Sequence, residues 1–328
     1  MNECFAQIIT YAKMINMKQR RRLRIDRLVL VILVILLVAG TGTFGVYWIY
    51  NCLFNRSKPV VAEQYDPDVK LKLNIPLSTD KYLLSRMKGQ DNYVVYTNNE
   101  KVKIYPASLT KLMTLKVALD NIDDLDETMI VNYRDLEGLL ENDASVLGLD
   151  TQDEISIRNI LYGLILPSGA DCARLLERYL YEHDIDMITA MNLEAQRLGM
   201  HDTNFSNPIG MFDENNYTTL TDLNLLCSAL MQNETAVEIL ETYYREDDGY
   251  IFRSTARNYE SRFTERSTKI MGGKTGYLPE SGLNYFAIIE ETNGRKSLLL
   301  LAGCDPTSEK GRNAHFEDAL KILDNYFE

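Results

Sequence analysis

Pro106-Ala107-Ser108-Leu109-Thr110-Lys111-Leu112-Met113-Thr114 stands where an extended segment rich in Val and Tyr gives way to helical spacing. Its Ser108 and Lys111 are three residues apart, and on a helix residues at i and i+3 share a face and can touch. A serine hydroxyl is a poor nucleophile until a neighbour takes its proton. A lysine crowded into a partly dry pocket can lose its charge and become that neighbour. At a helix's first turn, free backbone N–H groups and the positive end of the dipole favour developing negative charge. The spacing suits acyl transfer. By itself the spacing is weak evidence, and read alone it is the start of an ordinary helix with an exposed lysine.

Upstream, Tyr93–Thr97 and Lys101–Tyr105 are short, Val- and Tyr-rich, and separated by Asn98-Asn99-Glu100, which predicts a hairpin. Downstream, Leu112, Leu115 and Leu119 give the Ser108 helix a core face. From about Asp120 to Glu260 the pattern is mostly helical, with helices predicted over Ser156–Leu166 (Ser156 as cap), Ala173–Tyr181, Asp186–Leu198 and Leu220–Met231. Asn204–Asn216 reads as a loop. Ile270–Tyr277, Leu283–Glu290 and Ser297–Gly303 read as strands, the last two joined by Thr292-Asn293-Gly294, and Ala314–Phe327 as a final helix. Strands, a helical block, strands and a helix predict an α/β (α+β) domain over 80–328, one sheet with an inserted helical subdomain.

The formal charge of −12 over 328 residues hides an asymmetry, because residues 1–27 carry seven Lys/Arg against two Asp/Glu. The remainder is strongly acidic, which argues against nucleic acid as a partner. Leu28–Tyr50 holds no charge and as a helix spans about 34 Å, enough to cross a bilayer. Arg20, Arg21, Arg22, Arg24 and Arg27 place its N-terminal side in the cytoplasm, and Trp48 and Tyr50 are interface anchors at the far end. The expected layout is a basic cytoplasmic tail (1–27), a single transmembrane anchor (28–50) and an extracellular stalk (51–79). A signal peptide cleaved near Val38-Ala39-Gly40 and a start at Met17 are the alternatives. Five scattered cysteines do not form a disulfide framework, and His183, His201 and His315 show no metal-ligand spacing, so no metal or cofactor is expected.

Two further stretches follow Ser108: Pro167-Ser168-Gly169-Ala170-Asp171 between helices and Gly272-Gly273-Lys274-Thr275-Gly276-Tyr277 in a strand. The second is not a phosphate loop, because Thr268 stands where that motif needs glycine. Ser-x-x-Lys, then Ser-Gly-x, then Lys-Thr-Gly is far more specific than any one of them. Over about residues 80–327 the chain resembles the D-alanyl-D-alanine carboxypeptidases, the low-molecular-mass penicillin-binding proteins of the serine type. The likeness extends to Leu161-Tyr162-Gly163-Leu164, Leu198-Gly199-Met200, Asn207-Pro208-Ile209-Gly210 and Thr218-Thr219-Leu220-Thr221-Asp222-Leu223.

The resemblance implies a serine β-lactamase/penicillin-binding-like fold, mainly antiparallel, and an acyl-enzyme mechanism. Ser108 would be the nucleophile, Lys111 its base and Ser168 a proton relay. Lys274, Thr275, Gly276 and Tyr277 would bind substrate. Partners would be peptidoglycan stem peptides and β-lactams outside the cell membrane, with no cofactor. The usual second-motif asparagine is Ala170 here, a loss that Asp171 is a candidate to offset. The arginine that usually receives the substrate carboxylate falls at His315 by spacing, with Arg312 one turn earlier as its replacement. Many members also carry a β-rich second domain and a C-terminal membrane helix, whereas here the N-terminal helix is expected to do the anchoring. A catalytically impaired penicillin- or wall-binding domain, and a β-lactamase or esterase, are the competing readings.

Overall fold

The computed structural model describes residues 64–65, 73–256, 262 and 267–327. The described residues belong to one compact unit, residues 61–328. The predicted tail (1–27), transmembrane helix (28–50) and most of the stalk lie outside the described residues, among which no helix is long and apolar enough to cross a membrane.

The strands are β1 (Gln64–Tyr65), β2 (Lys81–Lys88), β3 (Asp91–Asn98), β4 (Thr128–Ile130) and β5 (Glu154–Ser156). They continue as β6 (Tyr244–Asp247), β7 (Tyr250–Arg253), β8 (Lys269–Leu278), β9 (Gly282–Glu290) and β10 (Lys296–Cys304). The helices are α1 (Thr110–Asn121), α2 (Tyr133–Leu136), α3 (Ile157–Ile165), α4 (Ala170–Glu182), α5 (Met187–Leu198), α6 (Leu220–Leu230), α7 (Glu234–Glu241) and α8 (Ala314–Tyr326).

The main sheet runs β1-β3-β2-β10-β9-β8, antiparallel throughout except that β1 lies parallel to β3. Its central strands read as near-continuous apolar runs because both faces are covered. Leu299 and Leu301 of β10 join Tyr285, Ala287 and Ile289 of β9 against Phe316, Ala319, Leu320 and Leu323 of α8. Strand alternation turns the equally buried Leu298 and Leu300 to the other face, where α6 packs on β2 and β10. Each such side chain removed from water stabilises the fold by about 1.5–3 kcal/mol. Among the described residues the edge strand β8 pairs only with β9, and it faces the helical subdomain.

Three expectations are corrected. The hairpin is β2–β3, turned at Gly89 (φ +65°), not Tyr93–Thr97 with Lys101–Tyr105. Lys101–Lys103 are exposed and only Ile104 bridges, to Thr218, so the chain leaves the sheet before Pro106. Second, residues 73–79 belong to the folded unit rather than to a stalk. Leu73 N donates to Tyr82 OH (2.7 Å), Ser78 N and Oγ to Asp318 Oδ2 (both 2.6 Å), and Leu73, Ile75 and Leu77 pack on the core. Third, the block read as helical contains two small antiparallel strand pairs, β4–β5 and the hairpin β6–β7. The second turns on Asp248-Gly249, both at positive φ, the pair a two-residue hairpin turn requires.

Candidate active site

The Ser108 turn is shaped by a loop far away in sequence. Asn207 Oδ1 accepts from the backbone N–H groups of Ile209 (3.2 Å), Gly210 (2.7 Å) and Met211 (3.1 Å), curling 207–211 on itself. Thr114 Oγ1 of α1 donates to Pro208 O at 2.7 Å, fixing that loop on the helix. Gly210 (φ +87°) presses so close that a Cβ there would lie 2.0 Å from Ala107 O. Ala107 itself sits at φ +50°, in the left-handed region, one residue before Ser108. Such backbone strain collects where a nucleophile must be presented.

The curl aims the Ile209 carbonyl at Lys111, whose Nζ donates to it at 2.7 Å and lies 3.2 Å from Ser108 Oγ. Lys111 is 1% exposed. Burial pushes its pKa down to about 7, against an opposing pull from the Asp171 and Cys172 side. An amine shifted that far toward neutrality is able to take the Ser108 proton.

A second amine enters from β8. The β8–β9 register shifts between Ile270 and Gly272, and Gly273 (φ +151°) would put a Cβ 2.0 Å from Phe286 O. A bulge of this kind re-aims the side chains that follow it. Lys274 Nζ donates to Ser168 Oγ and to Thr275 O, both at 2.8 Å. Burial, helped by the Lys111 charge, pushes the Lys274 pKa well below its ordinary value. Among the described residues neither lysine has a carboxylate at ion-pair distance. Two dry, unpaired amines in one cleft disfavour each other's charge.

Ser168 (φ +66°) ends the α3–α4 turn, held by Gly169 N to Gly163 O (2.8 Å) and Ala170 N to Ser145 O (2.7 Å). Where β8 passes the nucleophile, a Cβ on Gly276 would meet Pro106 O at 3.0 Å and Ser108 N at 3.1 Å. Glycine lets the strand backbone come close to the Ser108 amide, as an anion-binding pair of N–H groups requires. Thr275 Oγ1 shares a hydrogen bond with Thr255 Oγ1 (2.6 Å), and Thr255 N donates to Leu166 O (2.9 Å), tying β8 to the second-motif turn. Thr255 escaped the sequence reading because it lies in no motif.

At the rim, Tyr277 is 39% exposed and the exposed Arg312 guanidinium lies over its ring at 5.2 Å from the centroid. His315 is reassigned. It is 4% exposed, packed on Tyr285 and Phe316, and burial pushes its pKa down to about 4, so it carries no charge for a substrate carboxylate near neutral pH. Asp171 does not stand in for an asparagine at 170 as a donor to substrate. Its carboxylate is 0% exposed and taken up by backbone N–H groups of Leu147 (3.0 Å), Gly148 (3.0 Å), Leu149 (3.4 Å) and Cys172 (2.9 Å). Burial raises the Cys172 thiol well above its ordinary value, which leaves it unreactive.

The antiparallel α+β scaffold thus carries a Ser–Lys pair at the start of α1 and a second Ser–Lys pair between β8 and the α3–α4 turn. The family model for D-alanyl-D-alanine carboxypeptidase matches residues 77–301, and the chain belongs to that family. It is 26% identical to D-alanyl-D-alanine carboxypeptidase DacF of Bacillus subtilis (strain 168), over 75% of this chain and 61% of that one. It is 29% identical to the D-alanyl-D-alanine carboxypeptidase of Streptomyces sp. (strain K15), over 73% of this chain and 84% of that one. The crystal structure of the Streptomyces K15 DD-transpeptidase superposes with a TM-score of 0.67 at 25% identity, covering 77% of this chain and 98% of that one. The chain thus spans about six-tenths of the length of the Bacillus relative.

Proposed function

We propose that this chain is a serine D-Ala-D-Ala carboxypeptidase that removes the terminal D-alanine from peptidoglycan stem peptides and is acylated at the same serine by β-lactams. The observation that carries it is the pairing of Lys111 with Ser108 (3.2 Å) and of Lys274 with Ser168 (2.8 Å), on elements that meet where β8 passes the Ser108 amide at Gly276. Ser108 Oγ attacks the carbonyl carbon of the penultimate D-alanine while Lys111 takes its proton. The backbone N–H groups of Ser108 and Tyr277 hold the oxyanion, such donors being worth about 3 kcal/mol each. The tetrahedral adduct then collapses. The peptide C–N bond breaks, Ser168 passes a proton from the lysines to the departing amine, and the acyl ester remains on Ser108. Water, deprotonated by Lys111, hydrolyses the ester. Thr275 and the free edge of β8 align the peptide, and Arg312, held on Tyr277, receives its terminal carboxylate. Residues 28–50 anchor the chain in the cell membrane with the N-terminus cytoplasmic and the cleft outside, where its substrate lies.

Ala170 favours a second reading, an impaired domain that binds penicillin without turning over peptide. An amide missing from the substrate's side of the cleft costs roughly 1–3 kcal/mol. Incubating the detergent-solubilised chain with a D-Ala-D-Ala-terminated peptide, and separately with labelled penicillin, decides between them. The main reading expects D-alanine release together with acylation of Ser108. Acylation without release supports the second, rapid β-lactam turnover supports a β-lactamase, and no acylation sinks all three.

A further inference from the structure

Lys111 Nζ meets two partners among the described residues, Ser108 Oγ at 3.2 Å and Ile209 O at 2.7 Å. A neutral amine has two N–H donors and one lone pair, and its terminal bond rotates among staggered positions. An acceptor fixed at 2.7 Å takes one N–H and keeps the lone pair off itself, leaving it free for the Ser108 proton. Once that proton arrives the amine is an ammonium, and its bond to the carbonyl becomes charge-assisted and stronger. The carbonyl therefore favours the state that proton transfer creates.

Asn207 is what holds Ile209 O in place. Its Oδ1 takes three consecutive backbone N–H groups, of Ile209, Gly210 and Met211, and its Nδ2 returns to Met211 O at 3.1 Å. Helix α1 grips the curl from two residues one turn apart. Thr114 Oγ1 donates to Pro208 O at 2.7 Å. Thr110 Oγ1 accepts from Asn216 Nδ2 (3.2 Å), whose Oδ1 accepts from Ser206 N (3.4 Å). Gly210 completes the fit, since a Cβ there would also lie 3.0 Å from Thr110 Oγ1. The other charged groups near α1 stand apart from this loop. Glu194 of α5 pairs with Lys116 and Arg197, Asp222 of α6 accepts from Asp202 N and Thr203, and Glu238 and Glu241 of α7 bond Tyr162 and Lys296. Asp171 and Cys172 of α4 and Lys274 of β8 complete the titratable surroundings of Lys111.

We propose that Asn207 is a positioning residue for the base: the loop it curls presents the Ile209 carbonyl to one N–H of Lys111, which turns the lone pair toward Ser108 and meets the positive charge that forms as the proton crosses. The inference rests on Lys111 serving as the base. Two measurements on the full chain test it. Rapid mixing with labelled penicillin separates the Kd of the encounter complex from the rate constant of Ser108 acylation. NMR of 13Cε-lysine-labelled protein follows the Lys111 titration, assigned by its loss in Lys111→Arg. Asn207→Ala slows acylation roughly tenfold to a hundredfold, the cost of an ångström-scale misplacement, and leaves Kd within about twofold. It also lowers the Lys111 midpoint by about half a pH unit or more, because an acceptor facing the charged form is lost. Asn207→Asp keeps the triple acceptor and stays within about threefold of the wild-type rate. A folded Asn207→Ala in which the rate or the midpoint is unmoved overturns the inference, as does a Kd that weakens in step with the rate or an Asn207→Asp as slow as Asn207→Ala. If Asn207→Ala does not fold, Thr114→Val decides, because it removes only the bond to Pro208 O. Its rate and midpoint must both fall, by less, and either one unmoved overturns the inference. A wild type that is never acylated refutes the proposed activity, and the Lys111 midpoint alone then decides the inference.

Discussion

Lys111 and Lys116 stand on the same helix, both buried, and meet opposite surroundings. At the cleft end, Lys111 finds a hydroxyl and a backbone carbonyl. At the other, Lys116 finds carboxylates: Glu194 Oε1 at 3.0 Å and Asp120 one turn on. Burial costs the same kind of amine its hydration in both places. Lys116 is repaid by opposite charge at ion-pair distance, whereas burial without such a partner pushes the Lys111 pKa down to about 7. A buried lysine is thus structural or chemical according to what faces its nitrogen, and exposure alone does not distinguish them.

The sharpest break in that contrast is removal of the cleft amine. Lys111→Ala should slow acylation of Ser108 by labelled penicillin by roughly 10²- to 10⁴-fold, the usual worth of a general base, with little loss of thermal stability. Lys116→Met is the mirror image. It should leave the acylation rate and its pH profile unchanged and cost about 1–3 kcal/mol in denaturant unfolding, because Glu194 and Asp120 lose a partner while Arg197 still holds Glu194.

His315 extends the comparison to a third buried base, unpaired like Lys111 but walled in by aromatic rings. Its folded pKa is lowered from 6.5 to about 4, so the unfolded chain binds this proton first as pH falls. The stability it permits is fully present above pH 6.5 and is lost as pH drops to about 4. The loss approaches about 3 kcal/mol. His315→Gln should flatten that acid limb of the stability-versus-pH curve, measured by urea unfolding, and leave acylation near pH 7 intact. The smallest effect is expected from Thr255→Val, which removes the hydroxyl bonded to Thr275 Oγ1. It should raise the KM for a D-Ala-D-Ala peptide several-fold, the worth of about 1 kcal/mol, with little change in kcat.

Much of this was legible because the physics is local. The apolar run Leu298–Leu301, the Ser156 cap and the Asn293-Gly294 turn each announce an element within a few residues, and each element lies where its signal does. Ser108 and Lys111 were readable for the same reason. The β2–β3 hairpin was misread because Asn98-Asn99 is also a turn signal, and here it starts the exit of the chain toward Pro106. Asp248-Gly249 was a readable signal passed over inside a block of helical spacing. His315 and Arg312 could not be sorted by counting. Their difference lies in which way α8 faces, set by packing of Phe316 and Leu320 on the sheet. Thr255, the Ile209 carbonyl and the Asp171 clamp depend on segments brought together from distant parts of the chain, and no window of sequence contains them.

The central claim is that the amine beside Ser108 is neutral enough at physiological pH to act as its base. The pH dependence of the second-order rate of Ser108 acylation by labelled penicillin tests it directly. The account predicts a rate that rises through a single midpoint at about 7, and a Lys116→Met protein that follows the same curve. A rate that is flat from about pH 5 to 9, or that rises only as pH approaches the ordinary lysine range near 10, would contradict it.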